Sequence, residues 1–293
     1  LKHFFVISWF KLKNFTGKSL LWNIHYSLII IAKPSKIKNN NKFLNMKILV
    51  CISNVPDTTS KINFTNNDTE FDTNGVQFVI NPNDEFGLTR AIWFKEQQSA
   101  TVTVINVGLA DSEATLRKAL AIGADDAIRI NANPTDGMFV AKQLAEVAKQ
   151  GNYDLIIAGK ESLDYNGGMV PGILAATLGY NFVNSCIELT VEGTNARAMR
   201  EIDGGKETLS ATLPLVVGGQ KGLVEEKDLR IPNMRGIMQA RTKVITVVEP
   251  TNSETATKSV KFEKPAAKSA VKLINADNLD ELVNLLHNEA KVI

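Results

Sequence analysis

The stretch Ala158-Gly159-Lys160-Glu161-Ser162-Leu163-Asp164-Tyr165-Asn166-Gly167-Gly168-Met169-Val170-Pro171 gathers residue types that can hold an anion. Gly167 and Gly168 let backbone N–H groups approach closely, and Asn166 can cap or donate. The apolar pattern that follows reads as a helix, whose N-terminus carries partial positive charge. Asn-Gly-Gly is also ordinary turn chemistry between a strand and a helix, and the loop alone does not separate the two readings. Missing motifs narrow the chemistry. The chain has no G-x-x-x-x-G-K-[ST] loop, no G-x-G-x-x-G fingerprint and no G-x-S-x-G elbow. His3 and His25 sit in the N-terminal segment and His287 near the other end, so no imidazole stands near the loops as a general base. Cys51 and Cys186 are far apart, and no Cys/His cluster has ligand spacing. A nucleotide site without catalytic machinery points to binding or electron carriage more than to hydrolysis.

A second group lies at Arg200-Glu201-Ile202-Asp203-Gly204-Gly205-Lys206-Glu207-Thr208-Leu209. Asp-Gly-Gly tolerates positive φ, so the chain can reverse there as a tight hairpin. Read locally, it is a surface hairpin whose Arg200, Glu201, Lys206 and Glu207 form cross-strand ion pairs.

The elements that would position these groups form an α/β pattern from Met46 onward. Ile48–Ile52, after Lys47, is a continuous apolar run, as expected of a buried parallel strand. Gly75–Ile80 is a short strand, and Asp84 caps a helix running to about Gln98. Strands at Ala100–Val107, Ala127–Ile130 and Asp154–Ala158 alternate with helices at Asp111–Ile122, Thr135–Gln150 and Met169–Leu178. Such alternation predicts a parallel sheet with helices on both faces. From Asn181 to Val217 the chain reads as a run of strands, some antiparallel. Asn233–Arg241 is one or two helical turns and Val244–Val248 a strand. Thr251–Lys268 reads as a linker, and Asn278–Ala290 as a helix with Leu279, Leu282, Val283 and Leu286 on one face. In an open parallel sheet ligands sit beyond the carboxyl ends of the strands, here Cys51, Val107 and Gly159.

Charge is unevenly spread. Residues 1–45 hold eight lysines and no Asp, Glu or Arg. Removing those eight from the 33 basic residues leaves 25 against 31 acidic ones, a formal charge of −6 for the remainder. Nucleic-acid binding is therefore not expected, despite a pI near 8.4. The segment's apolar runs are too short to span a bilayer, and it lacks the arginine of a transit peptide. It is expected to be a non-native or disordered extension, with the native start at Met46. Two cysteines in apolar runs fit a reducing compartment, and a cytoplasmic location is expected.

From Met46 to about Val248 the chain resembles the β subunit of electron-transfer flavoprotein. The resemblance is carried by the Arg200–Leu209 stretch followed by Leu213-Pro214. Asn81-Pro82 with Asp84-Glu85, Thr115–Asp125, and Gly159-Lys160-Glu161-Ser162 through Asp164 add to it. It implies a Rossmann-like sheet of the adenine-nucleotide α-hydrolase-like type, with antiparallel strands and a C-terminal arm. The regions would be 46–250, with a recognition loop at about 218–241, and 251–293, a linker and helix docking on a partner. The resemblance further implies a heterodimer with an α subunit that holds most of the FAD, and an AMP on β. The AMP site would fall on Cys51, on Asn81, Pro82, Asn83 and Asp84, on Val107, and on Gly159, Lys160, Glu161, Asp164, Asn166, Gly167 and Gly168. In some relatives a second FAD takes the place of AMP.

Glu201, next to Arg200, matches a carboxylate that pairs with an arginine of the α subunit. Met234, in the region of Arg230, matches an apolar anchor for a dehydrogenase partner. The role implied is a non-enzymatic carrier between soluble dehydrogenases, above all acyl-CoA dehydrogenases, and a membrane quinone oxidoreductase. A subunit of an NADH-oxidising bifurcating complex and a stand-alone adenine-nucleotide sensor are the alternatives.

Overall fold

A computed structural model describes residues 45–266 and 270–293. The expectation for residues 1–45 falls, apart from Asn45, outside the described residues.

Strand β1 (Lys47–Cys51) serves two cores. Ile48 and Val50 face one, Leu49 and Cys51 the other. A strand buried on both faces needs apolar residues at every position, which is why its sequence shows no alternation. The chain then leaves the sheet for β2 (Asn54–Pro56), β3 (Phe64–Thr65), β4 (Glu70–Phe71) and β5 (Phe78–Ile80). β2 pairs antiparallel with β5, and β3 with β4, both outside the large sheet. The strand expected over Gly75–Ile80 is thus shorter and lies in a ribbon. The β2–β5 ribbon is extended past Pro56 by one more bond, Asp57 N–H donating to the Gln77 carbonyl at 2.7 Å.

Helix α1 (Pro82–Gln98), strand β6 (Thr101–Val107), helix α2 (Glu113–Ile122), strand β7 (Asp126–Ile130), helix α3 (Gly137–Gly151), strand β8 (Leu155–Gly159) and helix α4 (Val170–Leu178) follow in order. Strands β9 (Asn181–Glu192), β10 (Asn195–Ile202), β11 (Gly205–Thr212) and β12 (Leu215–Gly219) come next. Helix α5 (Met234–Thr242), strand β13 (Ile245–Val248) and helix α6 (Leu279–Asn284), continued in π-helical winding over Leu285–Ala290, complete the chain.

The large sheet has nine strands in the order β11-β10-β9-β12-β8-β1-β6-β7-β13. From β9 to β13 neighbouring strands run parallel, and β10 and β11 add antiparallel pairing at one side. Helices cover both faces. Leu88 of α1 and Leu116 of α2 share one core with Ile48, and Leu144 of α3 and Leu174 of α4 share the other with Leu49. Strands β6, β7 and β13 lie on one side of β1, and β8 and β12 on the other. This reversal leaves a crevice at the carboxyl ends of β1 and β8.

At the hairpin between β10 and β11, Ile202 stands opposite Gly205 and Gly204 takes φ 82°, a conformation glycine adopts without penalty.

Candidate functional site

The crevice is organised by one carboxylate. Asp84 is 2 % exposed, yet it does not cap α1 as its position suggested. The capping position belongs to Asn81, because Pro82 occupies the first helical turn, where its missing N–H costs nothing. One turn in, Asp84 points back at the sheet. Its two oxygens accept from Ser53 N–H and from Gly159 N–H, each at 2.7 Å. The carboxylate thus ties the end of β1 to the end of β8. A β-carbon on Gly159 would lie 2.4 Å from an Asp84 oxygen, so only glycine fits there. Burial pushes the Asp84 carboxyl up to about 7, against the two backbone N–H bonds that pull it down. Burial, helped by Asp84, also pushes the Cys51 thiol well above its usual range, so it stays protonated.

Asn81 and Asn83 shape the loop from behind. The Asn81 amide donates to the Glu161 carbonyl at 2.9 Å, and its oxygen accepts from Leu163 N–H at 3.3 Å. Asn83 donates to the same Glu161 carbonyl at 3.2 Å. Lys160 N–H donates to the Gly219 carbonyl, and its ammonium stands 3.8 Å from Glu161.

In front of this frame lies a cleft of about 690 Å³. Of the sequence candidates, Cys51, Asp84, Val107, Gly159, Glu161, Asp164 and Gly167 line it. Asn81, Pro82, Asn83, Lys160, Asn166 and Gly168 do not. Asn166 sits at the loop tip with φ 50°. The N-terminus of α4 has no side-chain cap, and its Val170 and Pro171 border the cleft. Uncapped N–H groups beside an open Gly167 suit a phosphate. The volume lies within the range of small-molecule sites, and the polar strand ends suit the sugar and base of a nucleotide. The residues present therefore fit a nucleotide.

Sequence reading missed several cleft residues. Asn106 is buried, and its amide donates to the Ile52 carbonyl at 2.8 Å while its oxygen has no partner among the described residues. As the one amide side chain in the apolar run Thr101–Val107, it carried a readable signal. Phe64, Phe71, Phe78 and Phe262 also line the cleft, and no local pattern marked them.

The partner-directed candidates are arranged differently. Arg200 pairs with Glu207 across the hairpin at 2.7 Å, as expected. Glu201 stands opposite Lys206 in register but accepts from the Gln220 side-chain amide instead. An amide fixes a carboxylate without neutralising it. Gln220 is buried and leads out of β12, one residue beyond the Gly219 carbonyl that Lys160 binds. Arg230 is engaged within the chain, pairing with Glu96 at 2.6 Å, and its N–H donates to Thr89. Met234 is 75 % exposed and Met238, one turn on, 65 %. Local packing therefore does not account for them. The opposite side of α5 lies on α2, where Gly236 allows contact with the Ala121 carbonyl and Arg117 donates to the Ala240 carbonyl at 2.7 Å.

Segment 251–266 has no regular element but is held at several points. The Gln143 amide brackets Thr251, donating to its carbonyl at 2.9 Å and accepting from its N–H at 2.8 Å. Asp136 caps α3 through Phe139 N–H and also accepts from Ala256 and Thr257 N–H. Although burial pushes its carboxyl up, these backbone bonds hold it below the usual range.

Comparison with known proteins follows the same outline. The electron transfer flavoprotein domain matches residues 68–253. The chain is 34 % identical over 262 residues to the electron transfer flavoprotein subunit beta of Bacillus subtilis, covering 85 % of this chain and all of that protein. It is 34 % identical to the subunit beta of Bradyrhizobium diazoefficiens, with the same coverage. To the human subunit beta it is 32 % identical, over 70 % of this chain and 82 % of the relative. A cleft at the sheet's reversal, a self-braced hairpin carboxylate and matches of this extent agree, and the chain belongs to the electron transfer flavoprotein family as a β subunit, a carrier rather than an enzyme.

Proposed function

We propose that this chain joins a flavin-bearing α subunit, keeps an AMP in the strand-end cleft, and carries electrons from acyl-CoA dehydrogenases to a membrane quinone oxidoreductase. FAD, bound in the complex mainly by the α subunit, supplies the redox chemistry. The chain's own residues position and dock. Asp84 holds the β1 and β8 ends at fixed spacing for the nucleotide. Glu201, oriented by Gln220, offers its other oxygen to a cation on the α subunit. Met234 and Met238 form the apolar anchor for the dehydrogenase, with the adaptable side chains a transient contact needs. The helix over Leu279–Asn284, whose Leu279 and Val283 are 64 % and 55 % exposed, docks on the α subunit. The carrying observation is Glu201, which bonds a neutral amide although a lysine stands opposite it in register. Two free, buried cysteines support a reducing, cytoplasmic setting. The strand order around β1 supports the adenine-nucleotide α-hydrolase-like subclass.

The aromatic side of the cleft favours one second reading, a flavin in place of AMP and a bifurcating complex. Co-expression with the α subunit, release of bound nucleotides and a dehydrogenase-reduction assay separate the two. One FAD and one AMP per heterodimer, with flavin reduced by an acyl-CoA dehydrogenase, is the expected result. Two FADs per heterodimer would move the assignment to bifurcation. A complex without flavin, or one no dehydrogenase reduces, would overturn the carrier reading.

A further inference from the structure

The cleft has an outer wall that the strand-end site does not explain. Hairpin β3–β4 carries Phe64 and Phe71 to the cleft, and residues nearly two hundred positions later meet it there. The ring of Phe262 stacks on that of Phe64 with centroids 5.0 Å apart and planes 12° from parallel. Phe262 N–H donates to the Asp68 carbonyl at 2.7 Å, and the Lys264 ammonium donates to Asn63 at 2.7 Å. The backbone and side-chain bonds fix the strap's register on the hairpin, so the stacked rings are aligned rather than merely adjacent. Upstream, Gln143 and Asp136 hold the strap at Thr251 and at Ala256–Thr257. Linker composition thus conceals a segment bonded along its course.

The hairpin has little of its own to hold it. β3 and β4 are two residues each, and among the described residues they pair only with each other. A two-stranded ribbon of that size is unstable alone in water. Asn66, Asn67 and Asp68 at its tip all take positive φ, which brings the Asp68 carbonyl round to the strap. The strap therefore supplies the hairpin's missing support.

We propose that residues 251–264 form a strap that closes the nucleotide cleft, with Phe262 as its clasp on the β3–β4 hairpin. This deepens the nucleotide reading given above, since a ligand held at the strand ends lies beneath the Phe64–Phe262 pair and leaves only when the hairpin lifts. The strap then sets the rate of nucleotide release without touching the strand-end contacts.

The test uses the complex with its α subunit, loaded with labelled AMP and chased with unlabelled AMP. Release from Phe262→Ala should be at least about tenfold faster than from wild type. Phe262→Tyr keeps the ring and should release at close to the wild-type rate. FAD content should be equal in all three. Limited proteolysis within residues 57–78 is the second readout, with Phe262→Ala cut faster and Phe262→Tyr protected. Equal release and equal protection in Phe262→Ala and wild type would overturn the strap. If wild type takes up no AMP, the nucleotide reading fails, and the proteolysis result alone decides whether the strap holds the hairpin.

Discussion

The cleft and the partner-facing elements treat their reactive groups in opposite ways. At the cleft, Asp84, Asn81 and Asn83 find their hydrogen-bond partners inside the chain, across 31 to 82 positions of sequence. On the partner-facing elements, Met234, Met238 and Leu279 are left uncovered, and Glu201 is braced by an amide without a counter-ion. A site that must hold a ligand for long periods benefits from a frame complete before the ligand arrives. A site that must dock and release benefits from groups whose best partners lie on another molecule.

The largest expected effect is at the frame. Asp84→Leu leaves the Ser53 and Gly159 N–H groups buried without an acceptor and should cost about 3 kcal/mol. Urea unfolding should show this, with AMP lost from the purified complex. A variant that kept both stability and AMP would remove the carboxylate clamp from the account.

The same residue sets a pH dependence. Its folded-state pKa of about 7 lies above the ordinary carboxylate value of 3.8, so the folded chain keeps the proton to higher pH than the unfolded chain. Its contribution to stability is full below about 3.8 and is lost as pH rises through about 7. Unfolding midpoints should fall from pH 5 to pH 8 in wild type and fall less in Asp84→Asn.

On the partner-facing side, Glu201→Gln should slow electron transfer about tenfold while leaving AMP content and unfolding midpoint unchanged. Gln220→Glu places two carboxylates face to face. It should be impaired at pH 8 and recover at low pH, where a shared proton restores the bond. A pH-independent loss would reduce Gln220 to a packing role.

Met234→Ala should raise the KM for the dehydrogenase about tenfold, with the thermal midpoint unchanged. Loss of stability in that variant would mean the side chain is covered in the free protein. The smallest effect belongs to Arg200→Ala. Its exposed pair with Glu207 should contribute under about 1 kcal/mol, and denaturation is expected to show little change.

Much of this could be read from local pattern. Uninterrupted apolar runs at Ile48–Ile52 and Leu155–Ala158, separated by helical spacing, announced a sheet covered on both faces. Gly123, Gly179 and the Asp203–Gly205 turn marked element ends, because each requires backbone that few other residues accept. The Gly159–Gly168 loop was legible for the same reason. The function of Asp84 was not, since an acidic residue in the first turn of a helix ordinarily caps it or faces water. Asn81 and Asn83 read as ligand contacts, whereas the fold turns them to the Glu161 carbonyl behind the cleft wall. Phe64 and Phe262 carried no signal at all, being single aromatics in polar stretches 198 positions apart.

The sequence by itself determined the element order, the layered α/β class and the hairpin, because these follow from periodicity and backbone tolerance within a few residues of each position. It also determined the family, through the ordered matches across the chain. Only the tertiary structure decided that Asp84 joins two strand ends, that Glu201 takes an amide instead of Lys206, and that a linker-like segment reaches the cleft. Those outcomes depend on which distant groups the sheet order brings within hydrogen-bond reach, and strand order is set by packing over the whole chain.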